Sequence, residues 1–377
     1  MKVNVRPVIT KFDLKQFLDV PFGIYGRGSQ WVAPLYFERF EHLSPKKNPY
    51  FRHAEVQLFL AEIDGKPVGR ISAQVCKLHL ERYKDDTGQF GFLEAPDDPE
   101  VFKALFDVAK NWLRSRGMRH VRGPFNFSIN DEVGLLIKGF DTPPSIMMGH
   151  ALPYYAKQVE NAGFRKIKDI IAYDFDAAKP LQRTLNMAYE RALRTKDIQV
   201  RALDKKNMDR DLDIMMSIFN DAWENNWGFI PFTPEEVKAL GTNFKLLLKN
   251  EYIAIASYKG KPAAFVVTVP NINEWLDGLG GKLLPFGWAR IVRNVIRGRP
   301  SSIRMPLMGI RKEFHDSLLG SSLALSVIET VRRYHTARGA IRGELSWILE
   351  DNMPMRHIIE SFGAVPYKTY RIYEMTL

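Results

Sequence analysis

The 377-residue sequence has one cysteine, Cys76, so no internal disulfide can form and a disulfide-stapled secreted scaffold is excluded. That thiol closes the apolar run Ile71–Cys76 and is expected to be buried and inert. No stretch reaches the roughly 18 consecutive apolar residues that a membrane-spanning helix needs. Residues 1–6 hold no apolar leader core, so secretion is not supported and a cytoplasmic location is expected. No metal is expected. Acidic residues are missing from one place: between Lys282 and Lys312 stand eight basic residues and no acidic one. The rest of the composition, 45% hydrophobic and 26% charged, is that of a soluble globular protein, and the length suits two domains. The net charge of +11 points to anionic partners. It is not confined to one half, since residues 1–200 carry 30 basic and 24 acidic side chains. The local run therefore says more than the total.

Two halves repeat one order of elements. The first reads as a helix over Asp13–Phe22, then a hairpin turning at Asp64-Gly65-Lys66. A helix over Pro99–Arg116 follows, with Leu105, Ala109 and Trp112 on one buried face, and then a strand over Ile170–Phe175. The second reads as a helix over Asp209–Trp223, an aromatic loop over Asn225–Pro234 and a hairpin at Lys259-Gly260. A strand (Met305–Ile310), a helix (Gly320–Arg338) and a strand (Gly343–Leu349) complete it. Gly-Lys-Pro recurs at Gly65–Pro67 and Gly260–Pro262, and the shared plan predicts a tandem duplication. The expected fold class is α/β (α+β), with two domains that each pack helices on a mixed, mostly antiparallel sheet. The expected boundaries are a first domain over 1–176, a linker over 177–200 with a helix at Pro180–Arg194, and a second domain over 201–377.

From Ile310 to Leu323 an apolar strand empties into a polar loop, and a helix opens at Gly320-Ser321-Ser322. The first backbone N–H groups of such a helix lack internal partners, and its dipole favours anions. The segment is therefore a candidate pyrophosphate seat. The order of elements resembles the GNAT (acyl-CoA N-acyltransferase) superfamily, and the resemblance covers both halves. That family wraps the CoA pyrophosphate with a Val-x-x-x-x-Arg/Gln-x-x-Gly-x-Gly/Ala loop. Here Ile310 stands at the Val, His315 at the Arg/Gln and Gly320 at the second Gly, while Leu318 replaces the first. Asn352 and Gly363 match the family's Asn followed eleven residues later by Gly-Phe, with Ala364 in place of the aromatic. The resemblance implies acyl-CoA as co-substrate, held by Ile310, Arg311, Lys312, His315, Ser317, Leu319, Gly320, Ser321, Ser322 and Asn352. The equivalent loop of the first half, Leu93–Glu100, has no glycine and four carboxylates. Like charges that close repel a pyrophosphate strongly in a partly dry cleft, so CoA is not expected there.

N-acyl transfer requires a neutral amine to attack a thioester while a base takes its proton. Members of the superfamily often use a Glu on a central strand as base and a Tyr on the last helix as thiolate acid. The Tyr position falls at Ile359, which departs from the pattern and leaves Tyr370, Tyr373, water or no donor at all for the thiolate. Glu344, His315 and Glu224 are the candidate bases. Asp221, Trp223, Asn226, Trp227 and Phe229 line the aromatic loop where the family places its acceptor-binding segment. Asn126, Ser128, Asn130 and Glu132 are a second acceptor-side candidate, because polar groups among apolar neighbours are costly to bury without purpose. Plainer readings stand beside these: a hydrophobic clamp with Thr233 capping the next helix, an ordinary capped turn at 126–132, and a solvated loop histidine.

Residues Pro285–Arg297 read as a helix with Arg290, Arg293 and Arg297 on one face and Trp288, Ile291, Val292, Val295 and Ile296 on the others. An anionic bilayer surface, a lid over an acyl chain and a solvated arginine face all fit it. Nucleic acid is not expected, since no recognised module accompanies the charge. The series Trp31–Leu35, Asn48–Phe51, Gly123–Ser128 and Ala222–Phe229 looks like a bacterial tandem-GNAT family that includes bacterial ceramide synthases. That resemblance implies a cytoplasmic or peripheral inner-membrane N-acyltransferase moving a long-chain acyl group to a sphingoid-base-like amine. An aminoacyl-tRNA-dependent transferase and a non-catalytic acyl-CoA- or lipid-binding protein are the alternatives.

Overall fold

The structure, a computed structural model, describes every residue except 1, 27, 195, 245 and 246, and omits the side chains of 193 and 244. In chain order the first half forms β1 (Val3–Pro7), α1 (Lys11–Ile24), α2 (Tyr36–His42), β2 (Ala54–Ile63), β3 (Lys66–Cys76), α3 (Lys77–Tyr83), β4 (Thr87–Glu94) and α4 (Pro99–Arg114). It continues through β5 (His120–Gly123), the short strands β6 (Phe125–Asn126) and β7 (Glu132–Val133), β8 (Leu135–Lys138), α5 (Tyr154–Asn161) and β9 (Arg165–Asp176). The second half adds α6 (Arg183–Arg194), β10 (Ile198–Ala202), α7 (Met208–Trp223), α8 (Pro234–Phe244), β11 (Ile253–Tyr258), β12 (Lys261–Pro270) and α9 (Asn273–Leu276). It ends with α10 (Gly287–Arg297), β13 (Ser302–Ile310), α11 (Leu318–Thr336), β14 (Arg342–Leu349), α12 (Met353–Ser361) and β15 (Val365–Thr376).

Local chemistry accounts for the element ends. Asp64 and Gly65 have φ of 50° and 73°, and Lys259 and Gly260 of 48° and 78°, the paired positive values of a tight two-residue hairpin. Thr10 and Asp13 form a reciprocal capping box at α1, and Asp98 caps α4 with Pro99 at its first turn. On α4 the buried stripe is Val101, Leu105, Ala109 and Leu113. Trp112 is only half-buried and lies under the Arg116 guanidinium, so Leu113 takes the place expected for it. Cys76 is buried, with its Sγ 3.6 Å from His53 Nδ1.

The chain divides into two compact units. One holds residues 1–170, 276–283 and 368–377, and the other holds 171–275 and 284–367. In the first unit β1-β2-β3-β4 run antiparallel, β4 and β5 pair in parallel, and the end of β15 pairs antiparallel with both β5 and β8. In the second, β10-β11-β12-β13 run antiparallel and β13 pairs in parallel with β14. Residues 177–200, expected as a linker, are built into the second unit. There Arg333 of α11 donates to Asn186 Oδ1 (2.9 Å) and Glu190 Oε1 (3.0 Å) of α6.

On α11, Leu323, Ala324, Val327 and Val331 are fully buried against Ala254, Ala264, Val266 and Met308. Each large side chain among them contributes about 1.5–3 kcal/mol. His335 ends this stripe with its Nε2 2.8 Å from Thr268 Oγ1. The Thr268 hydroxyl proton goes to the Tyr252 carbonyl, so Thr268 accepts and His335 carries its proton on Nε2. Its Nδ1 is buried without a partner. Burial, with the nearby Arg338 charge, lowers this histidine to about 4. In the first unit burial, with Arg39, lowers His42 to about 3, against an opposing pull from Glu132. Both rings are neutral when folded but titrate near 6.5 when unfolded. Their stabilisation is therefore present at pH 7 and lost as the pH falls below 6.5, by about 2 kcal/mol per histidine at pH 5. The urea midpoint should fall markedly between pH 7 and pH 5, and fall less in His335→Gln. An equal drop in that variant would contradict this account.

Candidate functional site

β13 and β14 pair from Ser302/Arg342 to Met305/Leu345 and then stop. The next residue of β13 is Pro306, which has no N–H for a ladder bond. On its other side the register with β12 shifts between Val267 and Val269, which places an extra residue of β13 at Met305–Pro306, a β-bulge. Beyond it the two strands part. Trp223, at the end of α7, donates its indole N–H to the Met308 carbonyl (2.9 Å) and sets its ring edge-on to Trp347 of β14, centroids 6.1 Å apart.

β13 leads into the loop that ends at Ser317, the N-cap of α11. The Ser317 hydroxyl donates to the Phe314 carbonyl (2.7 Å) and accepts the Gly320 N–H (2.9 Å). A Cβ on Gly320 would overlap the Phe314 carbonyl oxygen, so glycine is required by the close approach of the loop to the helix. Among the described residues the N–H groups of Leu318 and Leu319 have no protein partner, which leaves two donors at the positive end of α11. Ser321 and Ser322 turn their hydroxyls back onto the Ser317 and Leu318 carbonyls. The exposed His315 donates from Nε2 to the Ile310 carbonyl (2.8 Å). Arg311 reaches the Pro262 carbonyl and Ser217, the Lys312 N–H donates to Asp221 (2.8 Å), and the Lys312 ammonium pairs with Glu224 (2.8 Å). Thus Asp221 and Glu224 anchor the loop to α7. Asn352 caps α12 through the Met355 N–H.

Glu344 of β14 is buried beside Arg304 of β13, its direct register partner, at 3.7 Å. Its Oε1 accepts the Ser346 hydroxyl (2.5 Å), and its Oε2 accepts the Tyr367 hydroxyl. Arg304, also buried, donates to Ser346 Oγ (2.8 Å) and to the Ser346 carbonyl (3.2 Å). Glu344 also reaches an apolar cavity of about 20 Å³ lined by Ile303, Met305, Ile328, Leu345 and Phe362, room for roughly one water-sized group. Sequence reasoning singled out Glu344 but not its buried neighbours Arg304, Ser346 and Tyr367. A lone arginine inside the apolar run Ile303–Ile310 was the available signal, because a buried charge demands a partner. Tyr370 and Tyr373 lie in the first unit, where the Tyr373 hydroxyl donates to Glu160 (3.0 Å). Ile359 is buried among Tyr173, Phe175 and Leu345.

The rest of the aromatic loop packs on Phe219 of α7. Trp223 stacks on Phe219, the buried Phe229 packs on the same ring, and the Asn226 N–H closes a turn onto the Trp223 carbonyl. Trp227 is half-buried in this segment. Thr233 and Glu236 exchange bonds in a capping box at α8.

In the first unit, β4 and β5 pair in parallel over Thr87–Gln89 and His120–Arg122. The space beyond is filled by the chain itself. Asn126 Oδ1 accepts the Phe92 N–H (2.6 Å), Gln74 donates to the Phe125 carbonyl (2.8 Å), and a Cβ on Gly91 would overlap that carbonyl. Asn126 also donates to Glu132 (3.0 Å), whose other oxygen takes Arg39. Burial pushes the Glu132 carboxyl up, but Arg39 and Asn126 outweigh it and hold the group at about 2. Ser128 and the Asn130 N–H form a turn with Asp131. In the 93–100 loop, Glu94 is buried and takes the Tyr155 hydroxyl (2.7 Å), while Tyr154 donates to the Ala95 carbonyl.

Two units, each built on a parallel strand pair ahead of a helix, define a tandem GNAT fold. The protein is similar to the tandem GNAT protein of the clavulanic acid biosynthesis pathway, at a TM-score of 0.59 and 13% identity over 100% of this chain and 98% of that one. It is also similar to a probable N-acyltransferase of Enterococcus faecalis, at a TM-score of 0.51 and 8% identity over 100% and 73%. No family model matches the chain. Two curated relatives are each 42% identical over 376 residues: the bacterial ceramide synthase of Caulobacter vibrioides (100% of this chain, 98% of that protein) and the protein YghO of Escherichia coli (98% and 94%). The chain belongs to the family of these two proteins. Among the described residues, no helix is long and apolar enough to cross a membrane.

Proposed function

We propose that the protein is an acyl-CoA-dependent N-acyltransferase whose acceptor is a long-chain amine of the sphingoid-base kind. The observation that carries this reading is the buried Glu344–Ser346–Tyr367 cluster on the strand that parts from β13, in the same unit as the glycine-headed helix α11. In this reading Leu318, Leu319 and the α11 dipole bind the CoA pyrophosphate. The first unit, its gap closed by Asn126, binds no CoA. The amine nitrogen attacks the thioester carbonyl, the C–S bond breaks, and Glu344 takes the amine proton. Tyr367, bonded to the same carboxylate, offers the hydroxyl that returns a proton to the departing thiolate, the role left empty at Ile359. The acceptor class rests on the name of one relative at 42% identity; the other, equally similar, is named without an activity.

The test is thiol release by purified protein from acetyl-, octanoyl- and palmitoyl-CoA with a long-chain 2-amino-1,3-diol, short amines and a muropeptide as acceptors. Thiol release with palmitoyl-CoA and the amino diol, with the amide found by mass spectrometry, is the expected result. Binding of acyl-CoA with no release across the panel would favour the non-catalytic alternative. Transfer only from aminoacyl-tRNA would favour the other.

A further inference from the structure

Helix α10 has no buried residue. Trp288, Val292 and Ile296, spaced four apart, are 50%, 45% and 74% exposed, and Leu284 and Phe286 just before them are 79% and 80% exposed. At about 100° per residue the three helical positions span roughly 80° of the helix surface. Arg293 and Arg297, both exposed, continue the same outward arc. The inward side holds Arg290, Ile291, Asn294 and Val295, all half-buried, with Arg290 donating to the Glu274 carbonyl (3.3 Å). The apolar residues are thus split, and the outward face is an apolar stripe beside arginines rather than an arginine face alone. Among the described residues no carboxylate pairs with Arg293, Arg297 or Arg299. Lys249 lies against Gly298 at the helix C-terminus and adds a further cation.

We infer that α10 docks flat on an anionic lipid bilayer, with Phe286, Trp288, Val292 and Ile296 at the acyl boundary and Arg293 and Arg297 on lipid phosphates. The combination of strong amphipathicity, a Trp and an Arg-lined flank is that of an interfacial helix. Charge complementarity selects the occupant. A second copy of the same face, related by a two-fold axis, would bring like-charged arginines together. A nucleic acid would leave the apolar stripe without a role.

Co-sedimentation of the full chain with vesicles of phosphatidylcholine alone, or with one third phosphatidylglycerol, tests this without substrate and so independently of the acyl-transfer reading. Binding is expected to the anionic vesicles and not to the neutral ones, and to weaken with salt. At about 1 kcal/mol per arginine and 1.4 kcal/mol per factor of ten, Arg293→Gln with Arg297→Gln should lower partition roughly 30-fold. Ile296→Glu should lower it at least tenfold, and both variants should keep the wild-type melting temperature because the changed side chains are exposed. No binding to the anionic vesicles overturns the inference. So does binding that survives Ile296→Glu, which would mark non-specific charge attraction, or a dimer in solution that Ile296→Glu dissociates.

Discussion

Replacing Glu344 with glutamine is expected to lower acyl transfer by about 10²–10⁴-fold, the usual contribution of a positioned base, while acyl-CoA affinity stays within twofold. The substitution keeps shape and removes the proton acceptor. It also leaves Arg304 buried without its carboxylate, and breaking one half of a buried pair costs about 3–5 kcal/mol. A loss of activity could then be mere loss of fold, so the informative companion is Glu344→Gln with Arg304→Met. With both charges gone, the melting temperature should recover and the rate should not. Tyr367→Phe keeps the ring and removes one hydroxyl from the cluster, so it should slow the reaction and leave the melting temperature nearly unchanged. A Glu344→Gln enzyme of full rate would move the base elsewhere. His315 and Glu224 would then be the remaining candidates, although one is bonded to the Ile310 carbonyl and the other to Lys312.

The second large effect is expected at Gly320. Its missing Cβ is what allows the Phe314 carbonyl to lie against α11, so even Gly320→Ala forces the loop away from the helix head. The Ser317 cap bond to the Gly320 N–H is lost with it, at a cost of about 1 kcal/mol. Affinity for CoA, read by calorimetry, should weaken at least tenfold, with far-UV circular dichroism unchanged. Gly149→Ala, where a Cβ meets nothing within 4 Å and φ is not positive, serves as the control and should change neither. Unaltered CoA affinity in Gly320→Ala would remove the α11 seat from the proposed function.

What was legible in the sequence is what nearby residues encode. Asp64-Gly65 and Lys259-Gly260 specify their own turns, and the periodicity of α4 and α11 is written in residues three and four apart. The capped head of α11, with Ser317 and Gly320, is encoded locally for the same reason. The candidate base was reached through a resemblance, but its setting was not. Arg304 and Glu344 are 40 positions apart, and only the parallel register of β13 and β14 puts them side by side. Tyr367 meets Glu344 across 23 positions, with helix α12 between them. The polar residues near 126 looked like a substrate wall because their composition is unusual. Asn126 in fact bonds the Phe92 N–H, 34 residues away, a contact across strands that local sequence does not display. Asp221, read as an acceptor-side residue, and Glu224, read as a candidate base, are both bonded to Lys312.

Residues 368–377 complete the sheet of the first unit: Gly123 faces Tyr373, His120 faces Thr376, and Arg122 and Asp169 find Glu374 and Arg371. On the ribosome, residues 1–170 emerge long before that strand is made. At 5–20 residues per second the delay is roughly 10–40 s. Throughout it the outer edge of β5 is open to pairing with any other nascent strand. Of the two units, the one whose synthesis begins first is therefore completed after the other, and its β5 edge stays exposed in the interval.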